Sequence, residues 1–154
     1  MKDDDLIFDK LSGFCAYQER CVSEVKDKLR QWKVDDDKAE KIITRLIDEN
    51  FLNEERFARS FAGGKFRINK WGKTKIIYEL KRKQVPDHII QPGLEEIDEE
   101  EYIATLKELL AKKSREIREK DDFKKKQKLI SFGVQKGYEY ELVRKVAEDR
   151  TVGR

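Results

Sequence analysis

One apolar pattern recurs three times in this chain: Val25-xxx-Leu29-xxxx-Val34, Ile76-xxx-Leu80-xxxx-Val85 and Leu129-xxx-Gly133-xxxx-Tyr138. The first copy precedes the second by 51 residues and the second precedes the third by 53. A polar turn and an apolar pair follow each copy: Ile42-Ile43, Ile89-Ile90 and Leu142-Val143. A period of this length implies stacked supersecondary units rather than one core threaded by the whole chain. A single copy is about the smallest length that buries enough apolar surface to fold, so neighbouring copies are expected to lean on one another.

The spacings inside each copy are helical. Phe14, Tyr17 and Cys21 predict one helix, Val25, Leu29 and Trp32 a second, and Ala39, Ile42, Ile43, Leu46 and Ile47 a third. Asp37 with Glu40 reads as a capping box for the third helix, and Ser23 as a cap between the first two. The second unit opens near Asn53, with Phe57, Phe61 and Phe66 on its first helix. Gly63-Gly64 inside that helix costs about 2 kcal/mol relative to alanines, which predicts a kink or a close helix approach. Gly72 breaks the chain, Ile76, Ile77 and Leu80 follow, and Pro86 suits the first turn of a helix carrying Ile89, Ile90 and Leu94. In the third unit a long helix from Tyr102 toward Ile117 precedes Phe123, Leu129, Ile130 and Phe132, a stop at Gly137, and a last helix with Leu142, Val143 and Val146. No alternating runs bounded by hairpin turns are visible. The predicted fold is all-α: three three-helix, helix-turn-helix-like modules over residues 13–52, 53–97 and 98–154, preceded by a segment, 1–12.

Charge distribution says more than net charge. The total is +3, yet from Lys65 to Lys83 eight Lys or Arg meet one acid, Glu79, while six of the seven residues from Glu95 to Glu101 are acidic. Segregation of this kind points to a local anion-binding surface. Its candidates are Lys65, Arg67, Lys70, Lys73, Lys75, Lys81, Arg82 and Lys83, with Lys124, Lys125, Lys126 and Lys128 as a weaker second cluster. Phe66, Trp71 and Tyr78 lie among the first set, and cations with aromatic faces suit phosphates and bases. Trp71 itself is read as a core side chain. The acidic run is read as a linker and helix start, where carboxylates favour the dipole.

Sites of other kinds are not supported. Gly72-Lys73-Thr74 has the ending of a phosphate-binding P-loop, but Arg67 stands where the loop needs its first glycine and no strand precedes it. His88 is the one histidine and reads as a surface residue at a helix start, without a nucleophile to serve. Cys15 and Cys21, six apart on one predicted helix, face different directions; buried free thiols are expected, and two cysteines with one histidine make no zinc set. No catalytic constellation, metal set or cofactor loop emerges. The acidic start, Met1-Lys2-Asp3-Asp4-Asp5, lacks the features of a signal peptide, and no apolar run is long enough to span a membrane, so a cytoplasmic protein is expected.

Several blocks, in order, resemble the RecX family, regulators of the RecA recombinase: Ser23-Glu24-xxx-Lys28-Leu29; Leu46-xxxx-Phe51-Leu52-Asn53-Glu54-Glu55-Arg56-Phe57-Ala58; Lys70-Trp71-Gly72-xxx-Ile76-xxx-Leu80-xxxx-Val85-Pro86; and Lys136-Gly137-Tyr138 with Leu142-Val143. The resemblance runs from about Phe14 to Ala147. Gln84 stands where the family usually has a glycine, and Asn53-Glu54 replaces paired aspartates. The resemblance implies an elongated, all-helical, monomeric, non-enzymatic modulator without cofactors. It would bind RecA and the groove of its DNA filament, limiting filament growth, strand exchange, ATP hydrolysis and assisted repressor cleavage, with single- or double-stranded DNA as a further direct contact. The competing reading is a helix-turn-helix protein that binds DNA without RecA. That reading needs base-reading side chains on a recognition helix, and the third helix of the middle unit offers Asp87, His88 and Gln91.

Overall fold

A computed structural model of the chain describes residues 2–149. Nine helices and no strand occur among the described residues. They are α1 (Lys2–Tyr17), α2 (Val22–Gln31), α3 (Asp36–Asp48), α4 (Glu54–Asn69), α5 (Lys73–Arg82), α6 (Asp87–Leu94), α7 (Glu99–Glu116), α8 (Asp122–Gln135) and α9 (Tyr140–Glu148). None is long and apolar enough to cross a membrane.

The threefold pattern is the second helix of each triplet together with its C-terminal cap. Val34, Val85 and Tyr138 each donate the backbone N–H back to the residue five before, Leu29, Leu80 and Gly133, at 3.0, 3.1 and 3.1 Å. Lys33, Gln84 and Gly137 donate to Arg30, Lys81 and Val134. This is the Schellman arrangement, which satisfies the orphan carbonyls of a helix end and requires a left-handed residue between the last turn and the apolar residue. That residue has φ of +55° at Lys33, +63° at Gln84 and +101° at Gly137. Asn50 closes α3 in the same way, and Lys70 closes α4 with φ +60°.

The chain forms two compact units, Met1–Ser60 with Glu79–Gly93, and Phe61–Tyr78 with Leu94–Arg154. Helices α4 and α5 therefore each contribute residues to both. In the first unit, Phe8, Leu11, Cys15, Val25, Leu29, Ile42, Ile43, Leu46 and Leu52 form one core. Of residues 1–12, read as a segment apart from the first module, those from Lys2 onward are in α1, and Phe8 and Leu11 are buried. Arg56 holds Glu19 at 2.8 Å, and Glu54 accepts the Val22 N–H at 3.0 Å, satisfying a free amide at the start of α2. In the second unit, Tyr102 and Tyr138 stack with centroids 4.9 Å apart, and Phe66 packs on Tyr102 at 5.7 Å.

Several local expectations are corrected. Cys21 is not on the first helix but caps the start of α2, where its N–H donates to Glu24 at 3.1 Å. Both cysteines are free and buried, and burial pushes both thiols up. Ser23 does not cap; its hydroxyl donates to the Lys83 carbonyl at 2.7 Å. The cap of α3 is Asp35, which accepts from the Lys38 N–H, two residues before the expected Asp37. Pro86 lies just before α6 and accepts from Ile89 and Ile90. Helix α4 runs through Gly63-Gly64 without interruption and without a close neighbour: a Cβ on Gly64 would meet nothing within 4 Å, and one on Gly63 only the Arg67 guanidinium of its own helix. The close approach is made by Gly93, packed on Ala58.

Candidate nucleic-acid-facing surface

The loop between α4 and α5 carries Lys70 and Trp71 and is fastened by the turn between α8 and α9. Gly72 N–H donates to the Lys136 carbonyl at 2.8 Å, Thr74 N–H to the Gly137 carbonyl at 2.9 Å, and Lys73 N–H to the Tyr102 hydroxyl at 2.8 Å. Tyr102 in turn donates to Glu139. The Tyr138 hydroxyl donates to the Lys70 carbonyl at 2.9 Å, which holds Lys70 in its left-handed conformation. A Cβ on Gly72 would lie closer than 3.0 Å to the Gly137 carbonyl and the Tyr138 nitrogen, so two backbones touch here. Burial raises both tyrosine hydroxyls above their usual range, and the hydrogen bond to Glu139 raises Tyr102 further.

These bonds also decide against phosphate capture by Gly72-Lys73-Thr74. The free amides at the start of α5 are what such a motif would offer an anion. All three are taken by protein oxygens.

Trp71 is half-buried, not a core side chain as its sequence context suggests. Lys65 Nζ lies 4.9 Å and Lys75 Nζ 4.6 Å from its ring centroid, and Phe61 meets it edge-on at 6.4 Å. Two ammonium groups thus share one indole, whose π face offsets part of their repulsion. Among the described residues, Lys65, Arg67, Lys70 and Lys75 have no carboxylate within ion-pair distance. Four other members of the basic stretch are paired: Lys73 with Glu99 at 2.6 Å, Lys81 with Asp87 at 3.7 Å, Arg82 with Glu79 at 3.2 Å and Lys83 with Glu24 at 3.1 Å. In the second cluster Lys126 pairs with Glu148 and Lys128 with Glu119, while Lys124 and Lys125 carry no ion pair among the described residues. His88 is exposed, and no group of His, Cys, Asp or Glu is placed to hold a metal ion among the described residues.

Sequence reasoning missed the supports of this surface: Tyr102, Tyr138 and Glu139. A signal was present, since Tyr138 occupies the position where the other copies carry valine.

Three family models match the chain in order: the RecX first three-helix domain over residues 12–46, the second over 53–94 and the third over 99–147. The Regulatory protein RecX of Clostridium perfringens (strain 13 / Type A) is 31% identical over 155 residues, covering 98% of this chain and 72% of that protein. The chain belongs to the RecX family. Another relative, the Regulatory protein RecX of Bacillus cereus (strain G9842), is 28% identical over 89% of this chain, which spans about half of that protein, 51%. The crystal structure of RecX from Lactobacillus salivarius superposes with a TM-score of 0.87 over 97% of both chains at 23% identity, which shows the RecX fold. RecX proteins are regulators by name, and the three domain matches overlap each of the nine helices described, α1 only in its C-terminal part.

Proposed function

We propose that this RecX protein regulates the RecA recombinase by binding the RecA–DNA filament, with inhibition of filament growth, ATP hydrolysis and strand exchange as its main effect. In this reading it acts as a cytoplasmic monomer without catalysis of its own. The observation that carries the proposal is the unpaired cationic surface of Lys65, Arg67, Lys70 and Lys75 around the braced Trp71 loop. A charged group already neutralised by a neighbour has little left to give a phosphate, whereas each unpaired one can release a counterion from DNA. The grip therefore lies in the first half of the basic stretch, whereas Lys73, Lys81, Arg82 and Lys83 already face carboxylates.

The test is RecA's ATPase on single-stranded DNA with this chain well below RecA's concentration. Wild-type protein lowers turnover. Lys65→Glu with Lys75→Glu lowers it far less, with helicity unchanged and with a shallower dependence of binding on salt. Full ATPase activity in the presence of the wild-type chain, with no filament binding at low salt, overturns the proposal.

A further inference from the structure

The three copies of the repeat supply an internal control for the surface. Counting by the same offsets, Asp27, Tyr78 and Ser131 occupy equivalent positions. All three are exposed, so packing does not select their side chains. In α2 the position holds a carboxylate paired with Arg30 at 3.1 Å, and in α8 a small hydroxyl. In α5 it holds a large aromatic ring that is 62% exposed. Among the described residues, the Tyr78 side chain has no ring neighbour, no cation over its face and no hydrogen bond. Trp71 differs in its ring and cation neighbours, because Phe61, Lys65 and Lys75 already occupy its surroundings.

Lys75 is three residues before Tyr78 on α5 and has no carboxylate partner among the described residues, so an unpaired cation and an open aromatic face are neighbours on one helix. We infer that Tyr78 is a stacking platform for an unpaired base of single-stranded DNA, with Lys75 holding the adjoining phosphate. Every base has a π face, so such a platform tolerates any sequence. In a duplex the bases are already stacked on one another and offer only their edges, so the platform favours single strands. The inference rests on the filament-binding reading and narrows it: part of the contact is made to the DNA strand and not to protein.

The experiment is a fluorescence anisotropy titration of the full chain against a dye-labelled oligothymidylate and against a duplex of equal length, at low salt and without RecA. Tyr78→Ala is expected to weaken single-strand binding roughly tenfold and Tyr78→Phe to stay within about twofold, because stacking uses the ring and not the hydroxyl. Duplex binding stays unchanged in both, and circular dichroism confirms that the variants remain folded. Wild-type affinity in Tyr78→Ala, equal losses on duplex and single strand, or a loss in Tyr78→Phe as large as in Tyr78→Ala each overturns the inference. Failure here is separable from failure of the filament reading: if Tyr78→Ala binds DNA normally while the wild-type chain still inhibits the RecA ATPase, stacking falls and filament regulation stands.

Discussion

Helices α2 and α5 are two answers to one pattern. Their inward faces match: Val25 and Leu29 in the first and Ile76 and Leu80 in the second are almost fully buried, and both helices end in a Schellman cap. Their beginnings do not match. At the start of α2 stands Cys21, a buried thiol, and the Val22 N–H donates to the carboxylate of Glu54. At the equivalent positions of α5 stand Gly72, pressed on the backbone of Gly137, and Lys73, whose N–H donates to the hydroxyl of Tyr102. The outer faces differ as well, with the Asp27–Arg30 pair in one and the unpaired Lys75 beside Tyr78 in the other. A repeat thus preserves what buries area and leaves helix starts and outer faces free to diverge, since few core contacts constrain them.

The largest effect expected from this comparison is at Gly72. Replacing it with alanine, a first step toward the side chain its counterpart Cys21 carries, forces two backbones apart. Urea denaturation should show a loss of about 3 kcal/mol, at the upper end for overpacking. A wild-type midpoint would mean that the α4–α5 loop is not held as tightly as the Gly72–Gly137 contact implies.

The two helix starts should also part in alkali. Tyr102 and Tyr138 have hydroxyls raised above the ordinary value of 10.0, so the folded state keeps their protons longer than the unfolded chain does. Stability from these groups is complete below pH 10 and falls as pH rises beyond it. Tyr102→Phe should make that alkaline loss shallower, while costing about 1 kcal/mol at neutral pH through the lost hydrogen bonds. An unchanged alkaline slope in stability measured across that range would show that the hydroxyl makes no difference to it.

Next in size is the cap. Gln84 holds φ +63°, a conformation that costs a non-glycine residue roughly 1 kcal/mol. Gln84→Gly should raise stability by about that amount in the same denaturation assay. Lys33→Gly should do the same for α2, so that unequal gains would break the equivalence of the two caps.

The smallest change is expected on the outer face. Tyr78→Asp installs the first copy's residue at an exposed site, and the denaturation midpoint should correspond to a shift within about 0.5 kcal/mol. A larger loss would give Tyr78 a packing role and remove the contrast with Asp27.

Much of the fold was legible because helix formation and burial are governed by local spacing. The residues at three- and four-residue intervals that predict α3, Ile42, Ile43 and Leu46, are its buried face. Gly137 stops α8 as its freedom at positive φ allows. Boundaries were less legible: Asp35, Asp36 and Asp37 are all competent caps, and only backbone geometry selects Asp35. The break after Tyr17 also carries no strong turn residue, which is why Cys21 read as part of the first helix.

For the candidate site, the residue set was already visible in the order of amino acids: a basic stretch with aromatic members in the middle of three helical modules. Local propensity and charge content are properties of neighbouring residues, and they survive without knowledge of the fold. Tertiary structure decided which of those charges are spent and which are not. Lys73 is neutralised by Glu99, 26 residues away, and Lys70 is held by Tyr138, 68 residues away. Tertiary structure also left Trp71 half-buried between two lysines and Tyr78 open. Coulombic attraction and ring contacts act across a few ångströms of space whatever the separation along the chain, so only the folded arrangement distinguishes a structural cation from one available to a phosphate.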